Sequence, residues 1–437
     1  MTTEHTIRGV SSTDAPDASI VGSCVHCGLC LNECPTYRVL RFEMDSPRGR
    51  IQLIKAVQNG EIALDSPAFL THTFQCLDCR GCETACPSGV RYGALIEAVR
   101  AQTVQADLLP PRRRIAQVVL RVMFRRVQLL RLAATGLRLY QRSGLQTIVR
   151  SLGLLRRLAP PLAKIEALAP QMSSTFLQAK DLRFVPSEGK SKHRVSFVTG
   201  CLMSVAFADV HRASLRVLSR NGCDIDIPEH QQCCGALHMH GGDRETAREL
   251  ARSNIDAFNN SENQPILINS AGCGSALKEY GELLADDPQY SERASIFSKR
   301  VKDLTEFLSE LGIHSPRKSY PERVVYQDAC HLVHAQGISQ QPRDLISSIP
   351  GVKLVEMENP TICCGAAGLY SVTDTDISLR ILEERLDAIE ASGATTVVST
   401  NPGCLLHIEN GAQRRGLDIK VLHIAELLDQ AYLSSKI

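Results

Sequence analysis

Short apolar runs alternate with longer stretches of helical periodicity from about residue 190 onward. The runs "RVSFVTG", "CDIDIP" and "PILINSAGCG" form a first series, and "RVVYQDAC", "VKLVEM" and "TTVVSTNPGC" form a second. Between them lie stretches such as "VHRASLRVLSRNG" and "ISLRILEERLDAIEASG", whose apolar residues recur at helical spacing. Strands that alternate with helices favour parallel sheets. This half of the chain is therefore predicted to contain two α/β units, related by an internal duplication of roughly 130 residues.

The part of the chain before residue 190 shows helical spacing without such strands. "RGRIQLIKAVQNGEIAL" and "PAFLTHTF" predict short helices, and the polar residues ahead of them predict a mobile leader. The predicted fold is thus an α+β multidomain protein with a helical N-terminal domain, a basic helical linker and two α/β units with parallel sheets. The predicted boundaries are 1–20 for the leader, 21–105 for the N-terminal domain, 106–190 for the linker, and 191–318 and 319–437 for the α/β units.

The predicted linker contains a long basic segment. No acidic residue occurs from Leu108 to Ile165, and the stretch from Pro110 to Pro160 carries twelve arginines among leucines and valines at roughly helical spacing. One interpretation is a set of connecting helices whose apolar stripe packs on a neighbouring domain while the arginines are solvated. The other is a docking surface for an acidic partner subunit or for anionic lipid headgroups, as basic amphipathic helices often provide.

Composition narrows the class of protein. The 437 residues are 43% hydrophobic and 22% charged with a formal net charge of +2, which gives no overall bias toward nucleic acid. The chain has no run of 18 apolar residues to span a bilayer and no basic-then-apolar segment at its start, so we expect a cytoplasmic protein. In a reducing compartment, its seventeen cysteines indicate metal, redox or catalytic roles.

Near the N-terminus, the pattern C-x2-C-x2-C-x3-C-P occurs twice, as "CVHCGLCLNECP" and "CLDCRGCETACP". The first three thiolates of such a motif wrap a tight turn around one [4Fe-4S] cluster, and the fourth, beside its proline, points to the other cluster. The ligand sets therefore interleave. The predicted ligands are Cys24, Cys27, Cys30 and Cys86 for the first cluster and Cys76, Cys79, Cys82 and Cys34 for the second. Gly28 and Gly81 are expected where the backbone approaches sulfide closely or takes positive φ.

Structural zinc sites are the alternative for these motifs, because they also use paired CxxC elements. Zinc sites need neither the third evenly spaced cysteine nor the CP ending, so the spacing favours iron-sulfur clusters. Such clusters carry single electrons, and the N-terminal domain is accordingly predicted to transfer electrons between two redox partners.

Two further sets of four cysteines, which we call the CCG quartets, lie in the α/β units. Each has a cysteine after a strand, an adjacent pair before a glycine, and a last cysteine after another strand. The quartets are Cys201, Cys233, Cys234 and Cys273, and Cys330, Cys363, Cys364 and Cys404. Because ligands gather beyond the carboxyl ends of parallel strands, each quartet is predicted to converge on one point. One or two additional iron-sulfur or metal centres, a redox-active thiol arrangement, and buried structural thiols all remain open.

Other residues near the quartets carry weaker signals. Gly235 and Gly365 follow the cysteine pairs and are expected to leave room for a ligand, and Cys223 is interpreted as a core thiol. Each nearby histidine is a candidate metal ligand or proton carrier, with a hydrogen-bonded loop histidine as the alternative. These are His238, His240, His331, His334 and His407. The sequence has no GxGxxG after a strand, no Walker loop and no GxSxG, so it offers no familiar flavin or nicotinamide site.

Two ferredoxin-type motifs followed by two CCG repeats resemble the iron-sulfur subunits of flavin-linked 2-hydroxyacid and glycerol-3-phosphate dehydrogenases, and the cysteine-rich subunit of heterodisulfide reductase. Within this group, "CVHCGLCLNECPTYRV", "DSPRGRIQLIKAV", "CETACPSGVRYG", "SAGCGSALKEYG" and "CCGAAGLYSVT" are most similar to the iron-sulfur subunit of bacterial glycolate oxidase, over about residues 20 to 432. The resemblance implies a subunit that receives electrons from flavoprotein subunits oxidising glycolate to glyoxylate. It implies FAD on those partners only, and a quinone-type acceptor at the inner face of the cytoplasmic membrane.

One departure separates this chain from the heterodisulfide reductase relatives, in which each CCG repeat ends in CxxC and supplies five thiolates. Here the endings are "CGSA" and "CLLH", so Ala276 and His407 stand where the fifth cysteines would be. This disfavours heterodisulfide cleavage and leaves His407 as a candidate extra ligand. The competing hypotheses are the equivalent subunit of a lactate or glycerol-3-phosphate dehydrogenase and a zinc-binding scaffold protein.

Overall fold

The N-terminal domain is a helical layer in this computed structural model, which describes residues 14–167, 169–177, 179, 182–259, 263–316 and 318–432. Prolines begin three of its helices, where a missing N–H costs no hydrogen bond. Its apolar core lies between α3, α4 and α6 and includes Ile54, Phe69 and Leu95. The elements are α1 (Ala18–Gly22), α2 (Pro35–Leu40), a 3₁₀ turn (Glu43–Asp45), α3 (Pro47–Gln58), α4 (Pro67–Phe74), α5 (Gly81–Thr84) and α6 (Tyr92–Gln105).

Residues 1–13 of the predicted mobile leader lie outside the described residues. The last residues of the predicted leader have defined contacts. Asp17 caps α1. The Asp14 carboxylate is buried between Arg244 and Arg248, each about 3 Å away. The sequence could not indicate these contacts, because both arginines lie more than two hundred residues further along the chain.

The linker forms five helices: α7 (Pro111–Phe124), α8 (Val127–Arg142), α9 (Leu145–Ser151), α10 (Leu154–Leu158) and α11 (Pro160–Ala167). Leu120, Leu130 and Ala134 are buried and face the rest of the protein. Many other aliphatic side chains of the segment from α7 to α11 are exposed to solvent. They are Ile115, Val118, Val119, Val122, Leu132, Leu139, Leu145, Ile148, Leu152, Leu154, Leu158 and Leu162.

The first α/β unit has a five-stranded sheet in the order β1-β3-β2-β4-β5, parallel except for β1. Val195 of β2 lies opposite Ile225 of β3, and both are completely buried. The strands are β1 (Phe184–Val185), β2 (His193–Phe197), β3 (Cys223–Asp226), β4 (Ile266–Ile268) and β5 (Val301–Asp303). The helices are α12 (Leu202–Ala206), α13 (Ala208–Arg220), α14 (Ala236–His240), α15 (Arg244–Ala257), α16 (Ala271–Lys278), α17 (Tyr280–Leu283), α18 (Ser291–Arg300) and α19 (Leu304–Leu311).

The second α/β unit repeats the four parallel strands of the first, in the equivalent order β7-β6-β8-β9. The strands are β6 (Arg323–Tyr326), β7 (Lys353–Val355), β8 (Thr396–Ser399) and β9 (Lys420–His423). The helices are α20 (Cys330–Gln336), α21 (Gln340–Ser347), α22 (Tyr370–Thr373), α23 (Thr375–Ser392), α24 (Pro402–Arg415) and α25 (Ile424–Tyr432). The predicted duplication is confirmed, and each sheet has one more parallel strand than the sequence indicated.

The two units share an apolar core. Leu218 of α13 and Leu428 of α25 are both completely buried in one cluster that also contains residues of both sheets. At its edge, the Asp429 carboxylate accepts hydrogen bonds from Arg216 and Arg220. The carboxyl ends of both sheets are thereby held in a fixed relation to each other, which is what positions the cysteine quartets. The predicted α+β multidomain fold is confirmed.

Candidate functional site

The two C-x2-C-x2-C segments adopt the same backbone shape. His26 and Gly28 in the first segment, and Asp78 and Arg80 in the second, have positive φ between 55° and 84°. These left-handed residues turn the chain sharply between successive cysteines. Of the two alternatives expected for the glycines, positive φ applies to Gly28 and not to Gly81. A Cβ on Gly81 would lie 3.3 Å from a backbone carbonyl oxygen, so close packing against the backbone suits a glycine there.

Cys34 lies with the three cysteines of the second motif, as the interleaved ligand sets predict. Its side chain and those of Cys76, Cys79 and Cys82 are buried and line one cavity, and we call these four residues the buried site. Burial raises the pKa of Cys82 well above its usual range, and the charges of the other three thiols raise it further. The structure thus brings these four residues together; their role as cluster ligands stays a prediction.

Hydrogen-bond donors surround the sulfurs of the buried site. The Thr36 hydroxyl lies 3.2 Å from Cys34 Sγ, and the backbone N–H of Asp78 donates to Cys76 Sγ across 3.3 Å. The Tyr92 hydroxyl donates to the same sulfur of Cys76 across 3.7 Å. Donors aimed at sulfur stabilise negative charge there and are one of the features that set the potential of an iron-sulfur centre.

A buried cation lies beside the same sulfurs. The guanidinium of Arg50 is 1% exposed and reaches Cys34 Sγ at 4.0 Å. It also donates to the His72 carbonyl and contacts the Asp45 carboxylate. Burial disfavours the charge, but the neighbouring tyrosine, thiol and carboxyl groups outweigh it and raise the pKa of Arg50. A permanent positive charge in the interior fits a site that holds an anionic group.

The other four N-terminal cysteines, Cys24, Cys27, Cys30 and Cys86, are more exposed, and we call them the surface site. Cys27 is exposed, and the other three are half-buried against the apolar core of the domain. Burial raises the pKa of Cys30 to about 11, and the charges of Cys34 and Cys24 add to the increase. Large apolar side chains are exposed within the first motif, at Val25 and Leu29, and after α2, at Phe42 and Met44.

Each CCG quartet converges, as predicted. The Sγ atoms of Cys201 and Cys233 are 3.3 Å apart, and hydrogen bonds from Cys201 and Cys234 hold the pKa of Cys233 well below its usual range. In the second quartet, hydrogen bonds with Cys363 and Cys404 lower the pKa of Cys364 in the same way. A hydrogen bond with Cys234 also lowers the pKa of Cys273. The first quartet therefore favours the thiolate form at Cys233 and Cys273, and the second favours it at Cys364; the thiolate is the form of cysteine that binds metal.

Both quartets line a single cavity of about 380 Å³, which the sequence did not indicate. The cavity is walled by apolar side chains from three parts of the chain, including Leu120 of α7 and Tyr370 of α22. Cys76 of the buried site lines it as well. In addition, Cys79 packs in one apolar cluster with Cys363 of the second quartet. The buried site and the quartets are therefore adjacent.

The glycines after the cysteine pairs are explained by their backbone conformation rather than by a need to leave room for a ligand. Gly235 and Gly365 have φ of 82° and 91°. A Cβ on Gly365 would lie 2.6 Å from the Ser378 carbonyl oxygen, and one on Gly235 would touch Ala247 at 3.4 Å. A side chain on either glycine would point toward α15 or α23 rather than into space for a ligand. Room for a ligand therefore does not explain why these residues are glycines.

The positions of the missing fifth cysteines differ between the two units. Ala276 is completely buried in the apolar core, whereas His407 lines the cavity with its Nε2 atom 3.2 Å from the Ser378 hydroxyl. Burial lowers the pKa of His407, so the ring is neutral at pH 7. Only the second unit offers a nitrogen donor at this place. Cys223, by contrast, lies on β3 in the shared core, where burial raises the pKa of its thiol to about 11.

The remaining candidate histidines lie between the domains. His334 is hydrogen-bonded to Thr84 and to the Thr361 carbonyl oxygen. The His331 Nε2–H donates to the Asp78 carbonyl oxygen across 2.9 Å, and burial lowers the pKa of His331 to about 3. His238 is completely buried, with Nδ1 facing Asp243 and Nε2 without a hydrogen-bond partner among the described residues. His238 also lines the cavity.

A buried network of charges joins the buried site to the first α/β unit. His240 Nδ1 lies 2.9 Å from Glu97 and 3.1 Å from Asp78, which belongs to the second cysteine motif. Burial opposes the charge of this ring, but the two carboxylates raise the pKa of His240 to about 10. Arg80, from the same motif, pairs with Glu97 and Glu279. Because these carboxylates are neutralised by the histidine and arginine, the group is an ion-pair network rather than a cation site.

The donor set of the N-terminal domain fits two [4Fe-4S] clusters. Eight free cysteines lie in two copies of one motif, with sharp turns between successive cysteines. Donors reach a sulfur of the buried site, and a buried cation lies beside that site. Zinc binding does not require such donors or an interior cation. The quartets offer thiolates and, in the second unit, an imidazole, which suits one or two further iron-sulfur centres.

The basic linker differs from the interpretation in which its apolar side packs on the protein and its arginines are solvated. Part of its apolar surface is exposed, while several of its arginines contact acidic residues of the protein. Among the described residues, no helix combines the length and the apolar character that crossing a bilayer requires.

Three protein families match successive parts of the chain. The family described as 4Fe-4S dicluster domain matches residues 20–90, and the cysteine-rich domain family matches residues 195–278 and 324–409. Between them, residues 111–169 match the linker region of the glycolate oxidase iron-sulfur subunit. These matches support the predicted iron-sulfur cofactors and the predicted order of domains.

Two curated relatives align over nearly the whole chain. The probable glycolate oxidase iron-sulfur subunit of Bacillus subtilis is 41% identical over 99% of both chains, and the glycolate oxidase iron-sulfur subunit of Escherichia coli is 31% identical over 94% of both. A lactate utilization protein A, from Halalkalibacterium halodurans, is 33% identical over 54% of this chain and 96% of its own length. It therefore shares about half of the architecture described above.

Proposed function

The chain belongs to the family of glycolate oxidase iron-sulfur subunits, and from this we propose that it transfers electrons between a flavoprotein and a quinone-type acceptor. The flavoprotein subunits of the same complex would oxidise glycolate to glyoxylate and carry the FAD. [4Fe-4S] clusters accept and release one electron at a time, which divides the two electrons of a reduced flavin into single steps. The chain is thus part of an oxidoreductase whose substrate chemistry takes place on its partners.

The arrangement of the cysteines in series is the observation that carries this proposal. The surface site has an exposed member, Cys27. The buried site lies deeper, and its Cys76 also lines the cavity of the CCG quartets. We assign cluster ligation to the four cysteines of each N-terminal site, and ligation of one or two further centres to the quartets.

The surface site is the part of the series that a partner protein can approach. Cys27 lies between two exposed apolar residues of the same segment, Val25 and Leu29. Contiguous exposed apolar side chains commonly mark protein interfaces. We therefore assign this surface to the flavoprotein subunit, and the cavity end of the series to the acceptor.

Serine substitutions in the anaerobically purified complex test the order of the series. Cys30→Ser and Cys82→Ser should each abolish glycolate-driven reduction of the quinone, while glycolate still reduces the flavin. Each variant should lose one [4Fe-4S] signal from the EPR spectrum of the reduced protein. Cys223→Ala is the matched control, because it changes a buried cysteine that lies outside all four groups, and it should keep both signals. A colourless wild-type protein that holds zinc would contradict the proposal and favour a zinc-binding scaffold.

The equivalent role with lactate is the second candidate, which the partial alignment with lactate utilization protein A favours. Reduction of the subunit in its native complex by glycolate and by L-lactate separates the two. Faster reduction by lactate would transfer the proposal to that substrate without changing the order of the cysteine sites. Glycerol 3-phosphate is a third donor to include in the same assay.

A further inference from the structure

Exposed aliphatic side chains are concentrated in the linker helices. Of the nineteen large apolar side chains exposed among the described residues, twelve lie in the segment from α7 to α11. The linker is only a small part of the chain, so this distribution is far from even. A soluble surface usually carries such side chains singly rather than in groups.

Helix α7 shows how these side chains are arranged. Ile115, Val118, Val119 and Val122 are 51–66% exposed, and we call these four residues the α7 stripe. Their spacing of i, i+3, i+4 and i+7 places them on one side of the helix. Leu120, on the other side, is 1% exposed and faces the cavity of the CCG quartets. The helix therefore separates that cavity from an apolar outer surface.

Ion pairs fix α7 in this orientation. Arg113 pairs with Asp374 of the second α/β unit, and Arg121 lies 3.0 Å from Asp243 of the first. Arg125, directly after the helix, lies 2.7 Å from a third acidic residue of the α/β region. In an ordinary surface helix the apolar side faces the protein and the cations face water. Here cations hold the helix to the protein, and aliphatic side chains face outward.

The charge around the α7 stripe indicates what it binds. Arg112 and Arg126, at its two ends, are exposed, and no acidic residue occurs from Leu108 to Ile165. The surface therefore combines aliphatic side chains with exposed arginines at both ends, which is the combination found in helices that lie in the interface of an anionic bilayer.

The composition of the stripe separates a bilayer from a protein partner. Protein interfaces are enriched in tyrosine, tryptophan, phenylalanine and methionine. All twelve large apolar side chains exposed in the segment from α7 to α11 are isoleucine, valine or leucine. We propose that the α7 stripe and its flanking arginines bind the surface of an anionic lipid bilayer.

Lipid binding deepens the proposed function. It rests on that function in one respect, namely that the acceptor is a quinone dissolved in the bilayer. With the α7 stripe on the lipid, the inner side of the same helix places the cavity of the CCG quartets directly behind the membrane surface. The flavoprotein surface around Cys27 belongs to a different part of the chain and remains available to its partner.

Vesicle binding by the complete complex tests the proposal. The probes are vesicles of phosphatidylcholine alone and of phosphatidylcholine mixed with phosphatidylglycerol, read out by co-sedimentation. The wild-type complex should bind only the anionic vesicles, and salt should weaken the binding. The double variant Val118→Asp/Val122→Asp should bind them at least about tenfold more weakly, and Arg112→Glu/Arg126→Glu should show a similar loss.

Ile296→Asp is the matched control, because Ile296 is an aliphatic residue of α18 that is 52% exposed outside the linker. It should bind vesicles as the wild type does. All variants should keep their visible cluster absorbance and glycolate-driven reduction of a water-soluble dye. Loss of dye reduction in the wild type would count against the proposed function alone, since vesicle binding does not depend on it.

Three outcomes would overturn the lipid proposal. The first is a wild-type complex that fails to bind anionic vesicles. The second is a Val118→Asp/Val122→Asp variant that binds them as well as the wild type. The third is a variant that loses its flavoprotein subunits, which would assign the α7 stripe to a subunit interface.

Discussion

The surface site and the buried site share one cysteine motif but have different surroundings. Both are built on the same pair of left-handed turns, at His26 and Gly28 in one and at Asp78 and Arg80 in the other. The surface site leaves Cys27 exposed, whereas all four cysteines of the buried site are enclosed. Local backbone shape is thus set by the motif, and burial is set by what the rest of the chain packs around it.

The difference in surroundings gives the two sites different roles in the proposed function. The Tyr92 hydroxyl, the Asp78 N–H and the Arg50 cation stabilise negative charge on the sulfurs of the buried site. An added electron is therefore expected to be more stable there than at the surface site. This order would direct electrons from the exposed surface near Cys27 toward the cavity between the α/β units.

Replacement of the buried cation should have the largest effect on this comparison. Arg50→Gln would leave the Asp45 carboxylate buried without its guanidinium partner, and breaking a buried pair in this way costs about 3–5 kcal/mol. The matched control is Arg48→Gln, two residues away, which removes an exposed pair with Glu43 and should cost under about 1 kcal/mol. Anaerobic urea unfolding, followed by circular dichroism and by cluster absorbance, measures both. Equal losses in the two variants would show that burial of Arg50 has no energetic consequence.

The sequence predicted the cysteine groups but not what lies between them. Spacing alone assigned Cys34 to the second set and Cys86 to the first, because the motif carries that information locally. Spacing could not show that both quartets line one cavity, which depends on the packing of α13 against α25. The sequence also did not indicate the left-handed φ of Arg80, because a glycine is the residue expected to take positive φ and the neighbouring glycine is Gly81.

The linker shows a second limit of sequence reasoning. Periodicity indicated that its helices have an apolar side but not which side faces the protein. That choice is made by ion pairs such as that of Arg121 with Asp243, whose members are 122 residues apart in the chain. Long-range ion pairs of this kind leave no local pattern.

Titration of His240 should have the next largest effect. His240 links the buried site to the first α/β unit, and the surface site has no such link among the described residues. The carboxylates of Asp78 and Glu97 raise the pKa of His240 to about 10, above the usual 6.5. A raised folded-state pKa means that the stabilisation is complete below about pH 6.5 and is lost as the pH rises through about 10.

We therefore expect the wild type to lose roughly 3–4 kcal/mol of unfolding free energy between about pH 7 and pH 10, relative to His240→Gln. Urea unfolding at intermediate pH values measures this difference. His26→Gln, at the exposed equivalent position of Asp78, is the control and should follow the wild type at every pH. A His240→Gln variant with the same pH dependence as the wild type would show that the ion-pair network does not contain a protonated histidine.

The smallest predicted effect isolates a single hydrogen bond to sulfur. Burial raises the pKa of Tyr92 well above its usual range, so its hydroxyl stays protonated and donates to Cys76 Sγ across 3.7 Å. Tyr92→Phe removes that donor without opening a cavity. Loss of about 1 kcal/mol of stabilisation of the reduced state should lower the potential of the buried site by roughly 40 mV for one electron.

An EPR-monitored redox titration of the isolated complex measures the potential of each site. Tyr37→Phe is the control, since Tyr37 is half-buried on α2 in the same domain, and both potentials should stay unchanged there. In Tyr92→Phe, the surface-site signal should also keep its potential. A shift of that signal instead, or of both signals equally, would mean that the hydroxyl acts through the general field of the domain. The difference between the two sites would then arise from burial and from Arg50 rather than from hydrogen bonds to sulfur.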